Sequence, residues 1–276
     1  MNQPRSRQPA VFLNHGAGPC FWMDWPAPLG PGAFDRLDGY LQGLIARLPA
    51  RPTAALVVSA HWEAERPTVG TAAAPPMLFD YYGFPEATYR LRFPASGSPE
   101  LGRRVRDLLA AAGIDTDEDA ERGFDHGVFV PFLRITPNAD LPVVALSLCR
   151  DLDPARHLAI GAALAPLRDE GVLIVGSGQS YHNLARFTDG DGATAEAFDS
   201  WLNEAATASD PQVRNRKLAT WTAAPAARAA HPREEHLLPL MVVAGAAGAD
   251  PGRRAYDDRI GGKRFSGYEF AGCEFG

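Results

Sequence analysis

The stretch Val172-Leu173-Ile174-Val175-Gly176-Ser177-Gly178-Gln179-Ser180-Tyr181-His182-Asn183 decides how this chain is read. Its short apolar run, bounded by Gly171 and Gly176, predicts a strand covered on both faces, as in a parallel or mixed α/β sheet. In open sheets of that class ligands bind beyond the carboxyl ends of the strands, and small residues there let a ligand approach the backbone. His182 falls at that end. A nucleophile elbow does not fit: Ser180 has Gly178 before it but His182 where the second glycine belongs, and Ser177 stands between Val175 and Gln179. A dinucleotide loop fails as well, because Tyr181 occupies the place of the third glycine.

Working outward, Ala10-Val11-Phe12-Leu13 reads as a first strand that delivers Asn14-His15-Gly16, and residues 54–60 as a second buried strand ending at His61-Trp62-Glu63. Phe34, Leu37, Leu41, Leu44, Ile45 and Leu48 recur at helical spacing, which predicts a packing helix over 32–48 stopped by Pro49 and Pro52. Residues 75–94, rich in aromatics and turn formers, are expected to form a loop over the site. Ser98-Pro99 and Asp153-Pro154 are helix starts. Further helices are expected over 195–206 and 211–221 and through Leu237, Leu240, Met241 and Val243, with Pro239 tolerated in the early turns. Strands are expected over 141–148 and, closing the fold, 265–275. The repeated order strand, helix, strand predicts an α/β fold: one domain over 1–276, with a central mixed, largely parallel sheet flanked by helices.

At 276 residues and 46% hydrophobic content the chain can bury a full core. A net charge of −6 with no basic stripe argues against a nucleic-acid partner. The opening MNQPRSRQPAVFLNH lacks the apolar core of a secretory signal, and no later stretch is long enough to span a bilayer, so a cytoplasmic protein without a membrane partner is expected. Cys20, Cys149 and Cys273 are far apart and form no Cys-x-x-Cys pair, which suggests neither a disulfide framework nor a zinc-thiolate site. Cys20 is expected to act as a small buried hydrophobe.

The histidines carry the chemistry. His15, His61 and His182 each follow a strand or its glycine turn, so adjacent strands would project them into one crevice, and convergent imidazoles suit zinc, iron, copper or nickel. His157, in a charged helical stretch beside Arg156, is expected on a solvated face. His231 and His236 are five residues apart, which on a helix turns them away from each other, so at most one contacts a metal. Glu234 and Glu235 fit favourable charge at a helix N-terminus better than ligation.

Taken together, Asn14-His15-Gly16, Ser59-Ala60-His61-Trp62-Glu63, Gly123-Phe124-Asp125-His126-Gly127, Gly176 to Asn183 and His231-Pro232-Arg233-Glu234-Glu235-His236-Leu237-Leu238-Pro239 resemble the DOPA-dioxygenase type of the LigB-like, class III extradiol ring-cleavage dioxygenases. The resemblance runs from residue 10 to about 270. It implies His15, His61 and His236 as ligands of a catalytic Fe(II), for which Zn(II) can substitute in purified protein. It implies His182 as the acid/base residue and His126 as a catalytic residue facing the substrate, with His231 near the substrate or behind the metal. Gly16-Ala17-Gly18-Pro19-Cys20-Phe21-Trp22 stands where the family has a Gly-Ser-Pro run, a departure that bears on the substrate rather than the chemistry. The implied partners are a small aromatic diol and O2, and a homo-oligomer stays open. Trp22, with Tyr81, Tyr82 and Phe84, would either wall an apolar slot for a planar ring or simply pack in the core. The competing readings are a zinc hydrolase or lyase on the same histidines, and a metal-binding relative without turnover.

Overall fold

The computed structural model describes residues 6–272, so Cys273 and the end of the expected 265–275 strand lie outside the described residues. Among the described residues eight strands form one sheet: β1 Ala10–Asn14, β2 Ala54–Ala64, β3 Thr68–Gly70, β4 Asp117–Asp119, β5 Val143–Cys149, β6 Val172–Gly178, β7 Gly252–Ile260 and β8 Lys263–Phe270, in the order β4-β3-β5-β2-β6-β1-β8-β7. The centre, β5-β2-β6-β1, is wholly parallel, and β8 pairs antiparallel with β1. β1, β5 and β6 are buried along their whole length, as continuous apolar runs require when helices cover both faces. The chain is therefore a single-domain α/β protein with a mixed, mostly parallel sheet.

Alternation along β6 shows which helix lies on which face. Ser177 Oγ donates to the Gly127 carbonyl of the His126–Ile135 helix on one side. On the other side, a Cβ at Gly176 would lie 2.5 Å from the Pro239 carbonyl oxygen, and one at Gly178 would lie 2.2 Å from that of His236. The Leu238–Ala247 helix, apolar all round and buried throughout, thus packs against β6 at backbone contact. The Pro154–Leu164 helix crosses it as closely, since a Cβ at Gly161 would sit 1.9 Å from the Val242 carbonyl oxygen. The glycines of the opening stretch therefore admit the chain's own backbone, where a ligand was expected.

Helix starts follow the sequence: Ser98 Oγ accepts from the Leu101 amide, and Asp153 from that of Ala155, each ahead of a proline in the first turn. The helix expected over 32–48 breaks at Gly43 into Asp35–Gln42 and Leu44–Arg47. β2 runs past its expected end to Ala64, with its register against β5 shifting between Val58 and Glu63, so His61 sits within an irregular strand stretch. The β7–β8 hairpin turns through Gly261 and Gly262, both at positive φ (59° and 81°), as a two-residue hairpin loop demands. β7 went unread because its apolar residues are too few among its charges.

His157 corrects the expectation of a solvated face. It is fully buried; its Nε2 accepts from the Cys149 amide at 3.0 Å and its Nδ1 donates to the Asp153 carbonyl at 2.7 Å, tying β5 to the helix that follows. Burial holds this imidazole below its ordinary pKa, and therefore neutral. Replacing His157 with Ala leaves the buried Cys149 amide unpaired and opens a void. Urea denaturation is expected to register a loss of about 2–3 kcal/mol.

Candidate metal centre

Three adjacent strands end beside one another, and the backbone that leaves them is pinned by side chains. Asn14 donates from Nδ2 to the Ser266 carbonyl at 3.0 Å and accepts the Ser180 amide on Oδ1 at 2.9 Å, so β1, β8 and the segment after β6 share one clamp. The His15 amide donates to the Gly178 carbonyl at 3.1 Å, the Gln179 amide to that of His236 at 2.9 Å, and the His182 amide to that of Ala230 at 3.0 Å. Gly16 and Gly18, at φ 85° and 51°, turn the chain away from His15, and Cys20 packs beneath Gly16 as a buried hydrophobe.

Five imidazoles converge on this end of the sheet. His15 and His61 face each other Nε2 to Nε2 at 3.2 Å. The ring of His236 lies 5.3 Å from that of His15 and 4.8 Å from that of His61, and His126 lies 5.2 Å and 3.9 Å from the same two. His182 stacks on His236 with centroids 3.3 Å apart and planes 18° from parallel. Side-chain donors of His15, His61 and His126 fall within 4.8 Å of one another, as do those of His182, Glu235 and His236. Burial first, then the neighbouring imidazoles, holds His15 and His61 well below the ordinary pKa, and burial pushes His236 down to about 3. All three are neutral near pH 7, the state that offers lone pairs. Two nitrogens about 2.1 Å from one ion are separated by roughly 3.0–3.4 Å, so the His15–His61 spacing matches two ligands of a single metal. Nδ1 of His15 is buried without a partner.

Carboxylates stand behind the rings. Glu235 Oε1 lies 2.9 Å from His236 Nδ1 and 3.2 Å from His182 Nδ1, and Arg233 reaches both Glu235 and Glu63. Asp80 accepts from the His126 backbone amide at 2.9 Å and lies 2.8 Å from its Nδ1. Asp125, held by Ser59 and Arg122, sits behind the strand that carries His61. Each bonded nitrogen fixes its ring and leaves the other nitrogen free, the usual support for metal-ligating histidine. Sequence reading missed Asp80 and gave Glu235 only a helix-terminal role; the Leu238–Ala247 helix starts after it, and the carboxylate turns to the imidazoles instead.

A cavity of about 630 Å³ opens over the cluster. His15, His61, His126, His182, His236 and Tyr82 all line it. Trp22 does not: it packs against Phe21 and under Arg134, and Trp25 takes the wall position expected for it. His231 is also off the wall, fully buried between Phe198 and Trp221, with Nε2 3.0 Å from the Ser180 carbonyl.

Comparison with known proteins places this geometry. Residues 34–266 match the model of the LigB family, the catalytic LigB subunit of aromatic ring-opening dioxygenase. The chain belongs to the LigB family. It is 44% identical to a 4,5-DOPA dioxygenase extradiol from Beta vulgaris over 86% of each chain. It is 35% identical to the dioxygenase tasH of Hapsidospora irregularis, over 96% of this chain and 86% of that one. A crystal structure of an uncharacterized Escherichia coli K12 protein superposes with a TM-score of 0.75 at 31% identity, over 96% of this chain and all of the other. This LigB-family chain is by these relations an oxidoreductase of the extradiol dioxygenase class. Among its described residues no helix is long and apolar enough to cross a membrane.

His231 gives the LigB-family fold a pH dependence that can be measured. Burial pushes its pKa down to about 4, below the roughly 6.5 of an unfolded chain. Above pH 6.5 neither state is protonated; below it only the unfolded chain takes up the proton, so stability falls as pH drops toward 4. His231→Gln, which keeps a donor for the Ser180 carbonyl, is expected to make that decline shallower by on the order of 1 kcal/mol per pH unit in urea denaturation of the metal-free protein.

Proposed function

We propose that this LigB-family enzyme is an Fe(II)-dependent extradiol dioxygenase that opens the ring of a catechol-type substrate with O2, its metal held by His15, His61 and His236. The observation that carries the reading is the 3.2 Å approach of two neutral Nε2 atoms, one just past the end of β1 and one in the irregular last stretch of β2, the strands on either side of β6, beside a third ring. His236 is favoured over His126 as the third ligand because its backbone is tied to the end of β6. His126 is anchored instead through Asp80 to the aromatic loop that walls the cavity, which suits a residue facing the substrate. A ferrous ion there would offer neighbouring positions to both catechol oxygens and to O2, and a path for electron density between them.

The chain supplies position and protons. His182 lines the cavity, and its Nδ1 is taken by Glu235, so Nε2 is the atom that accepts a catechol proton and later returns it to the opening ring. Glu235 bridges the stacked His182 and His236 rings, which would keep the proton-accepting nitrogen of His182 close to the group of histidines that would hold the metal. The aromatic walls exclude water and align the ring face, so proximity provides a large part of the rate.

Loading the protein with Fe(II) without oxygen, then adding O2 and a panel of substituted catechols, is expected to give oxygen uptake and a yellow ring-opened product. Zinc, held by the same nitrogens but without redox chemistry, is expected to give neither. Silence of the fully iron-loaded protein toward the whole panel would turn the reading to a metal-binding relative without turnover. In metal analysis, His61→Ala and His236→Ala are expected to lose stoichiometric iron while His126→Ala keeps it; retention by His236→Ala with loss in His126→Ala would reverse the assignment. His182→Ala is expected to retain iron and bind catechol, yet slow single-turnover ring opening by about two to four orders of magnitude.

A further inference from the structure

From the walls of the cavity we infer that the substrate carries an uncharged, apolar substituent on its diol ring, and not the amino-acid head group of DOPA. The inference rests on the catechol reading for the ring end and concerns what fills the rest of the space. A volume of about 630 Å³ lies well inside the roughly 300–1,000 Å³ that encloses a drug-sized ligand, so a bare catechol leaves most of it empty.

Away from the histidines, the lining among the described residues contains no Lys, Arg, Asp or Glu side chain. It is built largely from the Trp25–Leu29 segment, Phe34, Leu37, Leu184, Phe187 and Phe265. The polar ends of several wall residues are already used within the protein. Trp25 Nε1 donates to the Cys20 carbonyl at 3.2 Å, Tyr81 OH to that of Thr88 at 2.8 Å, and Asn183 Nδ2 to that of Ala229 at 2.8 Å; the side-chain Nε2 of Gln179 donates to the Gly16 carbonyl. The nearest charges are spent too. Lys263 is bound to Asp189, Arg186 to Asp189 and Asp191, and the carboxylates Asp80 and Glu235 stand behind imidazoles. An ammonium and a carboxylate brought in with the substrate would meet no counter-charge, and an unpaired charge in an apolar site is strongly disfavoured. A hydrocarbon or aryl group would replace water along these walls. The mouth repeats the character: Tyr82 and Leu184, 91% and 72% exposed, are large apolar side chains left in solvent at the cavity rim, placed to cover a substituent that reaches it.

Calorimetric titration of the metal-loaded protein under argon, with 4-methyl-, 4-propyl- and 4-hexylcatechol and with L-DOPA, tests this without requiring turnover. Affinity is expected to rise about threefold per added methylene, with L-DOPA at least about tenfold weaker than 4-propylcatechol. Leu29→Arg, which sets a guanidinium in the partly exposed wall, is expected to weaken 4-hexylcatechol and strengthen 3,4-dihydroxyphenylpropionate. L-DOPA binding as tightly as 4-propylcatechol, or affinity flat along the alkyl series, would overturn the inference. The same ranking in a protein that consumes no O2 would uphold it while removing the dioxygenase reading.

Discussion

The bare backbone at Gly176 and Gly178 is the constraint on which the rest of this site depends. A Cβ at either position would collide with the carbonyl of Pro239 or His236, so only glycine lets the start of the Leu238–Ala247 helix lie against β6. That contact brings His236, which is 54 residues beyond His182 in sequence (236 less 182), into a stack with it. It also makes the Gln179 amide available to the His236 carbonyl, so the segment after β6 and the segment before the helix hold each other. Any side chain here would separate the two faces of the proposed proton-transfer site before it touched the chemistry.

From the opposite face, the His126–Ile135 helix approaches β6 through the Ser177 hydroxyl and delivers His126. The sheet therefore supplies His15 just past β1 and His61 from the irregular last stretch of β2, while the first residue of the helix on one face adds His126 and the segment leading into the helix on the other adds His236. The clustered imidazoles stand in or beside strands and helices, and segments outside them, such as residues 25–29, carry much of the apolar wall. This division suits a proposed site whose metal nitrogens must be fixed to about half an ångström.

Electrostatics follow from the same packing. So many imidazoles at close range cannot all be charged, and burial with mutual repulsion keeps His15, His61 and His236 neutral. Negative charge is supplied one layer further out. Glu235, held well below the ordinary carboxylate range despite the opposing effect of burial by its hydrogen bonds to His182 and His236, stays ionised behind the rings. A carboxylate at that depth fixes a ring's tautomer and raises its basicity as a ligand without entering the cavity.

The sequence by itself determined the fold class, the central strands and the convergence of His15, His61 and His182. Short continuous apolar runs at 10–13, 54–60, 141–148 and 172–175, bounded by turn residues and rich in β-branched side chains, fit strands covered on both faces, and a histidine following such a run falls toward its carboxyl end. Glycine-turned His182 was legible for the same local reason, whereas His126 and His236 were legible only through the resemblance of their motifs to a known family. Contacts made by residues far apart in sequence were not legible, because no local pattern encodes them. Burial of His157 depends on how its helix packs, not on its charged neighbours. Asp80 meets His126 only because the aromatic loop folds back 46 residues, and Trp25 displaces Trp22 from the wall through the turn that the chain takes after Gly18. β7, half charged, becomes a strand only by pairing with β8. Tertiary structure decided which carboxylate stands behind which ring and left the cavity walls without charge, since both depend on which side chains face one another across the closed fold.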